Sequence, residues 1–206
     1  MNVLWDGAHG ITMSDGGQFL NNTLVNNRRY LTTSNYSGSV DLAAVRMEGN
    51  TVAPRTFVNN IVAQQNGNYH HVWLMDGQSI ETYVDHNIYR DDGGTPVFNH
   101  RVSGSQVDAT GLANWQTAMD ASAYSFVTGK EDHSLSSDPL FVNFPFTPTG
   151  YDPAWDWSLD TGSPGINAGT CWTFTDGTDV ASTTVVVKNP YVFMDGFGIT
   201  LGDSII

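Results

Sequence analysis

The chain has 206 residues and a net charge of −13, with 18 Asp against 3 Glu and 6 Arg against 2 Lys. So acidic a surface repels nucleic acid and anionic membrane, which are bound mainly through Lys and Arg, and nucleic acid is therefore excluded as a partner. With 40% hydrophobic residues, 21 Gly and 17 Asn, few long helix formers and many turn and strand formers, the composition also excludes a disordered chain and an all-helical one.

No run of 18 apolar residues occurs, so no membrane insertion is expected. The opening Met1-Asn2-Val3-Leu4-Trp5-Asp6 has neither the basic start nor the apolar core of a signal peptide. Cys171 is alone and cannot form an internal disulfide.

In chain order, the main signal is self-similarity. Residues 19–25 read Phe-Leu-Asn-Asn-Thr-Leu-Val, residues 57–62 Phe-Val-Asn-Asn-Ile-Val, and residues 84–89 Val-Asp-His-Asn-Ile-Tyr. Alignment puts Asn22, Asn60 and Asn87 in register, at intervals of 38 and 27 residues, with a shorter echo at 48–52. Before each unit stands a second apolar run: Ile11-Thr12-Met13, Val45-Arg46-Met47 and Val72-Trp73-Leu74. Each unit is thus expected to hold two strand-like pieces separated by polar turns. The extra residues of the longer interval are expected to form a loop within 31–41.

Unequal repeats of short strands without intervening helices suggest stacked coils, as in a β-solenoid. In such a stack equivalent side chains lie about 4.8 Å apart, so a column of Asn can hydrogen-bond its amides along the axis. Asn also tolerates the left-handed backbone of a sharp bend. The same register predicts apolar columns Phe19/Phe57/Val84 and Leu24/Val62/Tyr89. Loops of an antiparallel sandwich are the alternative reading of the Asn pairs.

Further on, Leu112, Trp115 and Met119 mark one face of a short helix started by Asp108 or Thr110. Asp138-Pro139 and Ser163-Pro164 mark turns, since the residue before Pro is held extended. Strands are expected at 182–188, 191–193 and 198–201.

Residues 111–169 contain, in order, a Trp-bearing helix, Gly129-Lys-Glu-Asp-His133-Ser134, Asp138-Pro-Leu-Phe, Trp157-Ser-Leu and Gly162-Ser-Pro-Gly-Ile-Asn-Ala-Gly169. This resembles the closing pattern of right-handed parallel β-helix proteins of the pectate-lyase-like superfamily, with Gly165 where that pattern usually has Ala. The resemblance spans roughly residues 10–170. It implies an all-β protein: parallel β-helix coils and a closing segment with a short helix over 1–170, then a β-rich C-terminal extension over 171–206. It also implies a carbohydrate-associated protein, secreted or at the cell surface. The first coil shows no capping helix, so N-terminal coils are expected to be missing.

Candidate chemistry is sparse. The chain lacks the serine-hydrolase elbow, the phosphate loop, the zinc-protease motif and paired Cys. His70 and His71, adjacent on a strand, point to opposite faces and do not suit one metal ion. Arg28, Arg29 and Arg46 could meet an acidic sugar or pair with Asp. Glu131, Asp132 and His133 read as structural. The catalytic candidates are Asp76, Asp85 and His86: in the outward column where other units carry Asn21 and Asn59, this one carries His86 preceded by Asp85. Arg90, Asp91 and Asp92 are the carbohydrate-binding candidates, although Asp91-Asp92-Gly93-Gly94 also reads as an ordinary turn.

Stacked rungs can bring distant carboxylates to the 5–5.5 Å or roughly 6.5–9.5 Å that glycoside hydrolysis uses. A lyase would need a base and neutralisation of a uronate, for which two lysines and −13 are poorly suited unless Ca²⁺ bridges the acids. The expected function is polysaccharide degradation, hydrolase-like before lyase-like, without a required cofactor. A non-catalytic adhesin, surface or fibre module is the alternative.

Overall fold

The computed structural model describes residues 3–5, 10–13, 16–25, 43–47, 54–64, 70–74, 81–92, 94–102, 105–145 and 152–170. The chain separates into two compact units, Met1–Gly169 and Thr170–Ile206, and of the second only Thr170 is described. The loop expected within 31–41, the echo at 48–52 and the strands expected after residue 181 lie outside the described residues.

The first unit is mostly β and built from parallel sheets. Its strands are β1 (Val3–Trp5), β2 (Ile11–Met13), β3 (Gly17–Leu20), β4 (Thr23–Val25), β5 (Ala43–Met47), β6 (Arg55–Val58), β7 (Ile61–Gln64), β8 (His70–Leu74), β9 (Thr82–Asp85) and β10 (Ile88–Asp91). There follow β11 (Val97–Val102), β12 (Ser105–Thr110), helix α1 (Leu112–Met119), a 3-10 turn at Ser122–Tyr124, β13 (Val127–Thr128), β14 (Leu135–Ser136), β15 (Phe141–Asn143) and β16 (Asp156–Leu159). Three sheets take every third strand in turn up to β11, and β13 and β14 join them after β12 intervenes: β1-β4-β7-β10-β14, β2-β5-β8-β11 and β3-β6-β9-β13. All pairs within these three runs are parallel; β12 adds to β11 as an antiparallel hairpin, and β15 pairs antiparallel with β16.

The residue columns read from the repeats are the observed pairings. Phe19, Phe57 and Val84 are register partners, as are Leu24, Val62 and Tyr89, and Ile11, Val45 and Val72. Phe19 and Phe57 stack with ring centroids 5.8 Å apart. These columns enter one core with Met13, Met47, Leu74, Phe98 and Trp115. Each large apolar side chain fully removed from water contributes about 1.5–3 kcal/mol, so the stacked columns are the main source of stability.

Two expectations need correction. Each repeat holds three strands rather than two, because the segment 19–25 breaks at Asn21-Asn22 into β3 and β4, as its equivalents break at Asn59-Asn60 and His86-Asn87. The first residue of each pair is left-handed: Asn21 has φ 55°, Asn59 58° and His86 55°. Helix α1 begins after Gly111 (φ 87°), with no side-chain cap, and not at Asp108 or Thr110. Both of those residues remain in β12, where Thr110 is still opposite Val97. The expected face of the helix is correct: Trp115 and Met119 are buried.

The second residue of each pair builds the ladder. Asn22 donates from its backbone N–H to Asn60 Oδ1 at 2.9 Å, and Asn60 does the same to Asn87 Oδ1 at 2.9 Å. The amide groups add Nδ2–H···O contacts of 3.4 and 3.2 Å along the same line. Each pair therefore divides its work, the first residue turning the chain and the second satisfying buried backbone. Among the described residues no helix is long and apolar enough to cross a membrane.

Candidate functional site

The two columns do not stop at the third repeat. Asn87 donates its backbone N–H to Ser134 Oγ at 2.8 Å, and Leu135 N–H reaches Asn87 O at 2.8 Å. Ser134 is thus the next rung of the interior column, and His133 the next rung of the outward one. The His86 and His133 rings stack with centroids 4.7 Å apart and planes 4° from parallel, which is the rung spacing. The outward column reads Asn21, Asn59, His86, His133.

Asp85 ends β9 beside this stack, its side chain 2% exposed. Its Oδ1 accepts the backbone N–H of His86 at 2.8 Å and of His133 at 2.8 Å. Its Oδ2 lies 2.8 Å from His133 Nδ1 and 3.8 Å from His86 Nε2. A carboxylate can only accept, so His133 Nδ1 carries the hydrogen and the lone pair of the neutral ring is on Nε2. That side chain is 66% exposed. The hydrogen bond to Asp85, and then the charge of Asp85, push the His133 pKa up. On the other ring, His86 Nδ1 donates to Ala168 O at 3.2 Å.

Behind the dyad sits a buried acid. Glu131 is fully buried, and Ser134 Oγ–H, Tyr89 O–H and Asn87 Nδ2–H all donate to its carboxyl, the last at 3.1 Å. Burial outweighs these donors and pushes its pKa up to about 7. Gly129, Lys130 and Glu131 are three consecutive left-handed residues (φ 76°, 49° and 59°). A Cβ on Gly129 would meet Val84 O at 2.8 Å, so only glycine lets this turn approach β9 closely enough to deliver Glu131 and His133.

Asp85, His86 and His133 bring one ligand atom each to within 4.8 Å of one another, the spacing of a candidate metal cluster. The ring orientation argues otherwise. An ion ligated by imidazole lies near the ring plane, and one ion cannot lie in two parallel planes a rung apart. Two imidazoles and one carboxylate are also not the oxygen-rich set that Ca²⁺ takes. In the observed arrangement the cluster is a hydrogen-bonded acid–base group.

The other candidates fall elsewhere. Asp76 lies outside the described residues. Arg90 on β10 pairs with Asp92 and with Asp138, both at 3.1 Å. Asp91 is instead buried, near His71. Arg90 and Asp92 thus form a surface group with Asp138, without Asp91. His70 and His71 do point apart: His70 Nε2 lies 2.9 Å from Asp108 Oδ1, and His71 Nε2 2.8 Å from Arg90 O. Arg46 lies over the Trp73 ring, 4.5 Å from its centroid.

Sequence reasoning read His133 and Glu131 as structural. The burial of Glu131 among three donors fits that reading, whereas His133 stands exposed beside Asp85 and His86, a grouping that reading did not foresee. A signal was present: Asp85-His86-Asn87-Ile88 and Asp132-His133-Ser134-Leu135 have the same pattern of Asp, His, small polar, apolar. The 47-residue interval hid it, because β12 and α1 are inserted after β11 in this repeat. Comparisons with protein-family models, with curated proteins and with solved structures give no match.

Proposed function

We propose that this chain is a carbohydrate-associated right-handed parallel β-helix of the pectate-lyase-like kind, secreted or at the cell surface, that degrades a polysaccharide. The fold reading is supported by three parallel sheets that take successive strands in rotation, every third one up to β11, together with the ordered motifs of 111–169. The activity rests on one observation: a buried carboxylate, Asp85, orients an exposed imidazole, His133, whose Nε2 faces away from it. This is the geometry of a positioned proton-transfer group.

The hydrolase reading comes first. Asp85 pushes the His133 pKa up, so the imidazolium keeps its proton closer to neutral pH, as a donor to a departing glycosidic oxygen must. In hydrolysis that proton passes from Nε2 to the leaving oxygen as the glycosidic bond breaks, water supplies the hydroxyl to the anomeric carbon, and the water's other proton returns through solvent to Nε2. A lyase comes second: neutral Nε2 would take the proton α to a uronate carboxyl, but a chain of net charge −13 repels a polyuronate. The hydrolase reading requires no cofactor, and Ca²⁺ would enter only with an acidic polysaccharide.

The test is a panel of neutral and acidic polysaccharides incubated with the full chain, read for new reducing ends and for the ultraviolet absorbance of unsaturated uronates. Reducing ends without that absorbance are expected, and should fall at least roughly tenfold in His133→Ala. Activity unchanged in that variant removes the site. No cleavage of any polymer supports the non-catalytic surface module instead.

A further inference from the structure

The outward column also borders a cavity of about 230 Å³. Asn21, Asn59 and His86 line it on one side, Ile61 and Ile88 contribute apolar surface from β7 and β10, and Leu159 and Gly165 come from the closing segment. Among the described residues no Asp, Glu, Lys or Arg lines it. In so acidic a chain, such a cavity disfavours an anionic ligand, since a desolvated charge there would have only the His86 ring to face.

The amides of Asn21 and Asn59 each carry donors and an acceptor, and they repeat at rung spacing along the line that leads to His133. A pyranose matches this combination, with hydroxyls around the ring edge for the amides and C–H faces for Ile61, Ile88 and Leu159. The volume is below the roughly 300–1,000 Å³ of pockets for drug-sized ligands, as suits a single sugar ring. Gly165 lets the closing segment pack against the apolar wall: a Cβ there would lie 2.8 Å from Ile88 Cδ1 and 2.9 Å from Leu159 Cδ1, so both side-chain ends would have to shift.

We infer that this cavity is a subsite for one uncharged pyranose unit of a polysaccharide lying along the outward column, with the next linkage presented to His133. The inference rests on the proposed polysaccharide activity and names its substrate as a neutral glycan rather than a polyuronate. The chain then runs parallel to the stacking axis, with Asn21 and Asn59 holding a unit and the His86–His133 rungs meeting the bond.

Calorimetric titration of the full chain with gluco-, manno- and galacto-oligosaccharides, and with oligogalacturonides of equal length, tests it. At least one neutral series should bind and the oligogalacturonides should not. Asn59→Gly removes the amide while tolerating the left-handed backbone, and should weaken binding about three- to tenfold, as for one lost hydrogen-bonding group. Gly165→Ala displaces the Ile88 and Leu159 ends that form the apolar wall, without touching the amides, and should weaken binding by a similar factor. Because a shifted fold could mimic either effect, both variants are compared with the parent by circular dichroism and melting temperature.

His133→Ala separates the two proposals: cleavage lost with binding retained supports both. Binding that responds to Asn59 and Gly165 with no cleavage by the parent chain retains the subsite and discards the activity. The subsite is overturned by preferential binding of oligogalacturonides, by no binding of any neutral oligosaccharide, or by affinities unchanged in both Asn59→Gly and Gly165→Ala.

Discussion

Two columns stand side by side at the same bend, and they obey different rules. The interior one, Asn22, Asn60, Asn87 and Ser134, is buried throughout, and from Asn60 onward each side chain accepts a backbone N–H from the rung before. The outward one, Asn21, Asn59, His86 and His133, is left-handed in its first three members and changes from amide to imidazole half-way along. Buried polar groups must be satisfied, so the interior column can change only to another acceptor of similar reach, as it does at Ser134. The outward column needs only a residue that tolerates the bend, which leaves its chemistry open to function. The difference teaches where in a stacked fold a new activity can arise: one residue before the ladder, on the outward face.

Several substitutions would break or sharpen this comparison. The largest effect is expected from His133→Ala, which should lower polysaccharide cleavage by roughly 10²- to 10⁴-fold, the range of a lost acid–base group. Its side chain is exposed, so the melting temperature should hardly move. Asp85→Asn is a poorer probe, because the buried carboxylate also accepts two backbone N–H groups and its loss affects folding as well.

Next comes the acid at the end of the interior column. Glu131 has its pKa raised from 4.5 to about 7 in the folded chain. Between those values the unfolded chain gives up the proton while the folded one keeps it, so the contribution to stability is full below about 4.5 and is lost as pH rises towards 7. The loss is on the order of 3 kcal/mol. Melting curves from pH 4.5 to 7.5 should therefore fall more steeply for the parent than for Glu131→Gln, which cannot ionise. Parallel curves would show that burial of Glu131 does not govern its protonation.

Asn60→Ala should destabilise by about 1–3 kcal/mol, since it strips the acceptor from the buried Asn22 N–H in mid-ladder. Urea unfolding should show the loss, and a variant as stable as the parent would mean that the ladder contributes nothing. The smallest effect belongs to the neighbouring outward residue: Asn59→Gly keeps the φ of 58° accessible and should change stability by only a few tenths of a kcal/mol. Equal destabilisation by Asn60→Ala and Asn59→Gly would erase the distinction between the columns.

Much of this was legible in the residues themselves. A stack repeats its environment at every rung, so Phe19, Phe57 and Val84 resemble one another because they occupy the same place, and alignment of the repeats gave their pairing. The Asn register could be read for the same reason, and the column in which His86 replaces an amide pointed to one of the two stacked imidazoles. The division of each repeat into three strands was not legible, because the left-handed residue that separates β3 from β4 is an Asn in a run of Asn. Nor was the start of α1, where pairing of β12 with β11 overrides two good capping residues.

What only the tertiary structure decided is the fourth rung. Forty-seven residues separate Asn87 from Ser134, and in sequence that distance conceals any period. In space an inserted strand, β12, and helix α1 intervene after β11, and parallel pairing of β14 with β10 resumes the register. Local pattern could supply the column, since identical rungs demand similar residues. It could not supply the His133–Asp85 contact or the burial of Glu131, because both depend on which rung the returning chain joins, a choice made by backbone hydrogen bonds to β10 and by the close approach of Gly129 to β9.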